Sequence, residues 1–176
     1  MLTHIFLCII FVVTHLVITH KMSEILKKWL KLSKPIPVRE EVNLNLRVAS
    51  ALLNNEFDKI IDSYAITGSQ YNVLRILKGV YPGGHPRCEI ASRMIERAPD
   101  ITRLIDRLEK QKLVERDRSD KDRRMSVTKI TQKGLNVVNE LQPVIEKKHK
   151  EITKNLTDAE CSKLSQLIEK LYKDII

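Results

Sequence analysis

The 176-residue chain suits one domain of ordinary size, or one domain with an appendage. A hydrophobic content of 43% is enough for a core and argues against global disorder. The 5% aromatic content, with only 5 Gly and 6 Pro, argues against sandwiches, barrels and propellers. The formal net charge of +9, from 31 Lys and Arg against 22 Asp and Glu, favours an anionic partner, either nucleic acid or a membrane surface.

The cysteines narrow the class of protein further. Cys8, Cys88 and Cys161 are far apart and form no C-x-x-C pair. This spacing argues against a disulfide scaffold, a zinc ribbon and a thioredoxin motif. The expected compartment is therefore the reducing cytoplasm.

Residues 1–20 differ from the rest of the chain, because they contain no charged side chain and three of the five histidines. They lack the basic start and small-residue cleavage site of a signal peptide, and threonines and histidines interrupt them as a membrane helix. We expect residues 1–21 to be an apolar extension from a mistaken start, with Met22 as the native start. The alternatives are a membrane anchor, which the following lysines would orient, and a cleaved signal.

The body begins with an amphipathic arm, residues 22–41, in which Pro35 and Pro37 bar a continuous helix. From Asn43 the apolar residues recur in two helical stripes, a face wide enough to be buried against a partner subunit. The predicted helices run over about 43–64, 70–80, 87–95, 99–111, 135–154 and, after a capping box at 157–160, to about 175.

The other predicted elements are a loop, a hairpin and a kink. Residues 81–84 form the loop, and Val114–Arg118 and Met125–Ile130 are short β-compatible runs around a polar turn. Pro143 is expected to kink the helix that contains it.

Two short helices followed directly by a charged hairpin are typical of a winged helix-turn-helix. The chain is therefore predicted to be mostly α (α+β), with the helix-turn-helix at about 87–111, the wing at about 114–130 and flanking helices at about 43–64 and 135–176. In this arrangement the second short helix enters the major groove, and the hairpin follows the backbone or enters the minor groove.

The second short helix carries polar side chains opposite its apolar face. Arg103 and Arg107 can contact guanine, and Thr102 can reach a phosphate or a thymine methyl. Asp106 is expected to orient Arg103 or Arg107, because the phosphates would repel a carboxylate. The charged run at 117–124 would indicate a solvated turn in isolation, but its position after a helix pair favours a wing.

The stretch from Ile101 to Gly134 closely resembles the multiple-antibiotic-resistance regulator (MarR) family of winged-helix transcription factors. The matching motifs are D-R-L-E at 106–109, Leu-Val at 113–114, D-x-R at 122–124 and T-x-K-G at 131–134. The resemblance covers about three quarters of the chain, so residues 42–175 are predicted to form this domain.

The resemblance implies an obligate homodimer in which the first and last two helices form the dimerisation part. It also implies binding to pseudo-palindromic double-stranded operators, usually as a repressor released by a small molecule or an oxidant. By the family pattern Arg124 inserts into the minor groove and Asp122 holds the wing arginine in place. The predicted DNA-binding residues are Pro99, Thr102, Arg103, Arg107, Asp122, Arg123 and Arg124.

Two departures from the family pattern are visible. The turn at 95–100 lacks the usual serine or glycine, and the first short helix starts at 85–89 without a capping Thr or Ser. Both are expected to alter which bases are read.

Two other functions stay open: a membrane-tethered protein whose basic body binds anionic lipid or a partner, and a nonspecific architectural DNA binder.

Catalytic signatures are absent from the sequence. It contains no Gly-rich phosphate loop after a strand, no G-x-S-x-G and no H-E-x-x-H, so neither an enzyme nor a cofactor is predicted. His85, His149 and Cys88 lack the spacing of a zinc site, so no metal is predicted. Cys88 is interpreted as an ordinary half-buried residue and not as an oxidation sensor.

Three tyrosines are considered as effector-binding residues, but they do not identify the effector. Tyr64, Tyr71 and Tyr81 fall near the junction where related regulators bind phenolic effectors. Core packing is the interpretation that we favour for each of them.

Overall fold

The computed structural model describes residues 22–96, 100–118 and 126–175. These residues fall into two compact units, divided between Asn54 and Asn55. Within the described ranges, no helix is long and apolar enough to span a membrane.

The described part of the first unit contains α1, Glu24–Trp29, and the beginning of α2, Val38–Ile61. The Ser23 backbone N–H donates to the Glu41 carboxylate at 2.7 Å. The helix α2 begins earlier than predicted. Pro37 can precede it because its carbonyl accepts the first helical hydrogen bond, from the Glu41 N–H at 3.0 Å.

The second unit contains the end of α2 and the remaining elements. These are a 3-10 turn at Asp62–Tyr64, α3 at Gly68–Lys78, β1 at Gly84–Pro86, α4 at Arg87–Ser92, α5 at Ile101–Lys110, β2 at Val114–Arg118, β3 at Ser126–Ile130, α6 at Gln132–Ile152 and α7 at Asp158–Tyr172. The predicted class, mostly α with a winged helix-turn-helix, is confirmed. The predicted hairpin is the β2–β3 pair, with Val114 opposite Ile130.

The sheet has three antiparallel strands in the order β1-β3-β2. The sequence did not predict its edge strand β1, which begins at the last residue of the predicted loop; α4 begins at Arg87, as predicted. A Cβ on Gly84 would lie 2.3 Å from the Thr128 carbonyl oxygen, so glycine is what allows β1 to approach β3. Its pairing partner is about forty residues away in the chain, a distance that local sequence patterns do not register.

The core of the second unit is built around α3, which packs against α4, α5, α6 and β3. Its fully buried side chains are Val73, Leu74 and Leu77, and they join a cluster that includes Ile90 of α4 and Ile105 of α5. Because both short helices share this core, their mutual placement is fixed by packing.

Three predictions about helix ends and helix continuity can be compared with the structure. The capping box before α7 is confirmed, since Thr157 and Glu160 bond reciprocally, and these hydrogen bonds lower the pKa of the Glu160 carboxyl. The helix α4 ends earlier than predicted, because the Ile95 N–H is taken by the Asn72 side chain at 2.9 Å. The helix α6 continues through Pro143.

An ion-pair network joins the end of α2 to α6 within the second unit. Lys148 lies 3.3 Å from Glu56 and 3.0 Å from Glu151. Glu56 also pairs with Lys59 at 2.6 Å. The pKa of each of the two carboxyls is lowered by hydrogen bonds to these ammonium groups, and the pKa of Lys148 is raised by hydrogen bonds to Glu151 and Glu56.

Candidate nucleic-acid interface

The helix α5 separates apolar and basic side chains on opposite faces. Ile105 and Leu108 are fully buried against the core, whereas Arg103, Arg107 and Lys110 are exposed. The sequence placed the first turn at Pro99, but the helix begins at Ile101. A helix of this kind presents its cations to solvent in an orientation that the core fixes.

Asp100 caps α5 and also pairs with Arg103. Its carboxylate accepts the Arg103 backbone N–H at 3.1 Å, and its second oxygen lies 2.8 Å from the Arg103 Nε. The Arg103 side chain remains 79% exposed. The carboxylate that orients Arg103 is therefore Asp100, and the prediction that Asp106 does so was wrong.

Asp106 instead bonds to Arg116 of β2. The Arg116 guanidinium donates to Asp106 and also lies 3.1 Å from the Glu109 carboxylate. One arginine from the first strand of the hairpin thus bridges two carboxylates on successive turns of α5. The arrangement ties β2 to α5 and neutralises negative charge on this surface.

Thr102 is held by a residue of the other short helix. Arg87, the first residue of α4, donates from Nη1 to the Thr102 Oγ1 at 3.0 Å. Neither Arg87 nor Arg116 is among the site residues predicted from the sequence. Periodicity gave no signal for either one, because their partners lie in other elements of the fold, seven to fifteen residues away in the chain.

The strands of the hairpin carry their own ion pair. Lys129 of β3 donates to Asp117 of β2 at 2.7 Å, and this hydrogen bond raises the pKa of the Lys129 ammonium. Pro99, Asp122, Arg123 and Arg124 of the predicted DNA-binding set lie outside the described residues.

The T-x-K-G motif fastens the end of α5 to α6. The Thr131 hydroxyl donates to the Lys112 carbonyl at 2.8 Å and accepts the Gly134 N–H at 3.1 Å. The Lys133 ammonium donates to the Gln111 carbonyl at 3.0 Å. Lys112 itself has a φ of 60°, the left-handed conformation that ends α5. We call these contacts of residues 131–134 with residues 111–113 the latch.

The remaining candidate residues are dispersed. Among the described residues, no group of three or more His, Cys, Asp or Glu side chains could hold a metal ion. Cys88 is exposed, and the prediction that it is half-buried was wrong. Tyr71 is buried in the core and Tyr64 packs against it, as predicted, but Tyr81 is 53% exposed because it lies in the loop before β1.

Comparison with known proteins identifies several similar chains. The family model of the MarR family matches residues 66–126. A MarR transcription factor from Planctomyces limnophilus is 32% identical, with a TM-score of 0.61 over 77% of this chain and 98% of that one. Bordetella bronchiseptica BpsR, whose DNA binding is regulated by 6-hydroxynicotinic acid, is 25% identical, with a TM-score of 0.64 over 74% and 98%. The transcriptional regulator MhqR of Bacillus subtilis is 24% identical over 68% and 81%.

Proposed function

Because this chain belongs to the MarR family of DNA-binding transcriptional regulators, we propose that it is a homodimeric repressor of a pseudo-palindromic operator. The family consists of regulators and not of enzymes. The observation that carries the proposal is the basic face of α5, fixed by the core and fastened on one side to a β-hairpin. Such a helix fits the major groove of B-DNA.

The proposed DNA contacts come mainly from α5 and from residues 122–124. Thr102, Arg103 and Arg107 on α5 would reach base edges or nearby phosphates, with Asp100 orienting the Arg103 fork. From the sequence resemblance, Arg124 would enter the minor groove, supported by Asp122. The neighbouring Pro99 and Arg123 complete the proposed set.

Arg103 and Arg124 should respond differently to substitution. Arg103→Ala is expected to cost about 1–3 kcal/mol of binding free energy per half-site, at one base pair of that half-site, because a guanine contact is base-specific. Arg124→Ala should weaken binding on every sequence and reduce the salt slope by about one unit for each protomer bound. Titrations over a set of single-base operator variants at several salt concentrations measure both effects. An equal loss for Arg103→Ala on all sequences would make it a phosphate contact, and an unchanged slope would remove Arg124 from the interface.

The Arg116 bridge is expected to affect DNA binding more than folding. Arg116→Gln removes a cation and leaves the Asp106 and Glu109 carboxylates uncompensated near the phosphates. Repulsion between charges near a protein surface then predicts an affinity loss of roughly tenfold to a hundredfold. Unfolding free energy should fall by less than about 1 kcal/mol, because the side chains are partly exposed.

The control for this substitution is charge removal at the partner. Arg116→Gln combined with Asp106→Asn should regain part of the lost affinity in a binding titration, since the exposed carboxylate is gone. If the double variant binds no better than Arg116→Gln alone, the bridge acts by position and not by charge.

The dimer is proposed from the apolar residues of α7. Leu164, Leu167 and Leu171 are each about half exposed in the single chain, and α7 contains no buried residue. An amphipathic helix whose apolar face is open to water needs a partner surface. A second copy is the partner proposed here, because a palindromic operator requires twofold symmetry.

Release of the operator is proposed to follow a small-molecule or oxidant signal. The support for a small molecule is the likeness to BpsR, whose DNA binding responds to 6-hydroxynicotinic acid. Binding that changes the separation of the two α5 helices would move them out of register with successive major grooves.

Selection from random duplexes tests the proposed function. The protein should enrich an inverted repeat whose half-sites are centred about 10 base pairs apart, and it should bind as two protomers per duplex. Failure to enrich any sequence from a pool that the protein does bind would indicate an architectural DNA binder instead.

A further inference from the structure

We propose that Arg87 is a DNA-contacting residue that binds a backbone phosphate and holds Thr102 in position beside it. The inference rests on the proposed function, because it requires the α5 surface to face DNA. Arg87 begins α4 and is exposed, and its guanidinium lies one hydrogen bond, 3.0 Å, from the hydroxyl of Thr102. A cation from α4 therefore lies at the edge of the surface formed by α5.

Arg87 does not form an ion pair with the described carboxylates near it in the sequence or in the two short helices. Glu89 is paired with Arg93 at 2.6 Å, and Asp100 is paired with Arg103 at 2.8 Å. Within the described ranges, Arg87 donates to the Thr102 hydroxyl, which is neutral. A guanidinium has five N–H donors, so this single bond leaves others free for phosphate oxygens.

The same hydrogen bond determines what Thr102 can offer. Because the Thr102 oxygen accepts from Arg87, its own proton is free to donate to a phosphate oxygen. Fixing that oxygen also fixes the χ1 rotamer and hence the direction of the methyl group. Arg87 thus both adds a phosphate contact and positions the first polar residue of α5.

The test compares Arg87→Gln with Arg93→Gln in salt titrations of operator binding. Arg93 is the matched control, because it directly follows the same short helix but its charge is paired with Glu89. Arg87→Gln should weaken binding at least roughly tenfold and lower the salt slope by about 0.9 for each protomer, or about 1.8 for the proposed dimer, because each protomer loses one phosphate contact. Arg93→Gln should leave the slope unchanged.

A third variant separates charge from positioning. Arg87→Lys keeps the charge, so its slope should stay near that of the wild type. Thr102→Val should weaken binding in the wild type and have a smaller effect in the Arg87→Gln background, because the two residues act together.

Either of two results would overturn the inference: a wild-type salt slope for Arg87→Gln, or a slope lowered equally by Arg87→Gln and Arg93→Gln. The outcome is separable from failure of the proposed function. A wild-type protein that prefers its operator over a shuffled duplex keeps that function, whatever Arg87→Gln does.

Discussion

Leu167→Glu in α7 will convert the proposed dimer into monomers and reduce operator affinity by at least about a hundredfold. Leu167 is 48% exposed in the single chain and belongs to an apolar stripe with Leu164, Leu171 and Ile175. Complete burial of a leucine side chain contributes about 1.5–3 kcal/mol, and a twofold interface contains each position twice. A carboxylate there would lose this contribution and would also have to be desolvated.

Operator affinity is expected to fall when the proposed dimer dissociates, because the affinity depends on two half-sites that are occupied together. A monomer binds each half-site alone and loses the effective concentration that the second protomer supplies. Sedimentation equilibrium measures the mass, and a titration on the selected duplex measures the affinity. The control is Gln166→Glu, which adds the same charge on the opposite side of α7 and should leave both quantities unchanged. A Leu167→Glu protein that stays dimeric would place the interface away from this stripe.

Gly134→Ala will lower the unfolding free energy by about 2–3 kcal/mol, although alanine is the better helix former by about 1 kcal/mol. Gly134 lies in the first turn of α6, and a Cβ there would come within 2.2 Å of the Leu113 carbonyl oxygen and 2.8 Å of the Ile130 Cγ1. The carbonyl cannot easily move, because it accepts the Thr131 N–H at 3.1 Å and shares the Thr131 hydroxyl proton, at 3.1 Å from the oxygen, with the Lys112 carbonyl.

Urea unfolding of the two proteins measures this effect. Gly79→Ala is the matched control, because its φ is −63° and the nearest atom to a new Cβ lies at an ordinary contact distance of 3.4 Å. That variant should match the wild type or be stabilised by a few tenths of a kcal/mol to about 1 kcal/mol. A Gly134→Ala protein as stable as the wild type would show that the latch is able to relax.

The latch also connects the first turn of α6 to the proposed DNA-binding surface, so a substitution that displaces this turn should also weaken DNA binding. Thr131 and Lys133 contact the residues that end α5, so a displaced first turn of α6 shifts the base of that helix. A shift of α5 lengthens or misaligns its hydrogen bonds to base edges and therefore weakens them.

The sequence predicted those features that local patterns determine. The apolar face of α5 with Ile105 and Leu108, and the capping box of Thr157 and Glu160, follow from spacings of three and four residues. The β2–β3 hairpin followed from two β-compatible runs around a polar turn.

The features that the sequence did not predict depend on residues far apart in the chain. Asp106 was predicted to orient arginines of its own helix, whereas its partner is Arg116 on a strand. The contact of Arg87 with Thr102 and the pairing of β1 with β3 also join separate elements. Tertiary packing decides such contacts, and neither periodicity nor propensity contains that information.

A competition titration with the selected duplex and a shuffled duplex of equal composition tests sequence-specific reading by α5 most directly. At near-physiological salt, a sequence-specific regulator should prefer the selected duplex by about a thousandfold or more. Electrostatic attraction of a chain with a net charge of +9 supplies binding to both duplexes, so the ratio is the informative quantity. A ratio near one would contradict sequence-specific reading by α5 and leave a basic protein that binds DNA by charge alone.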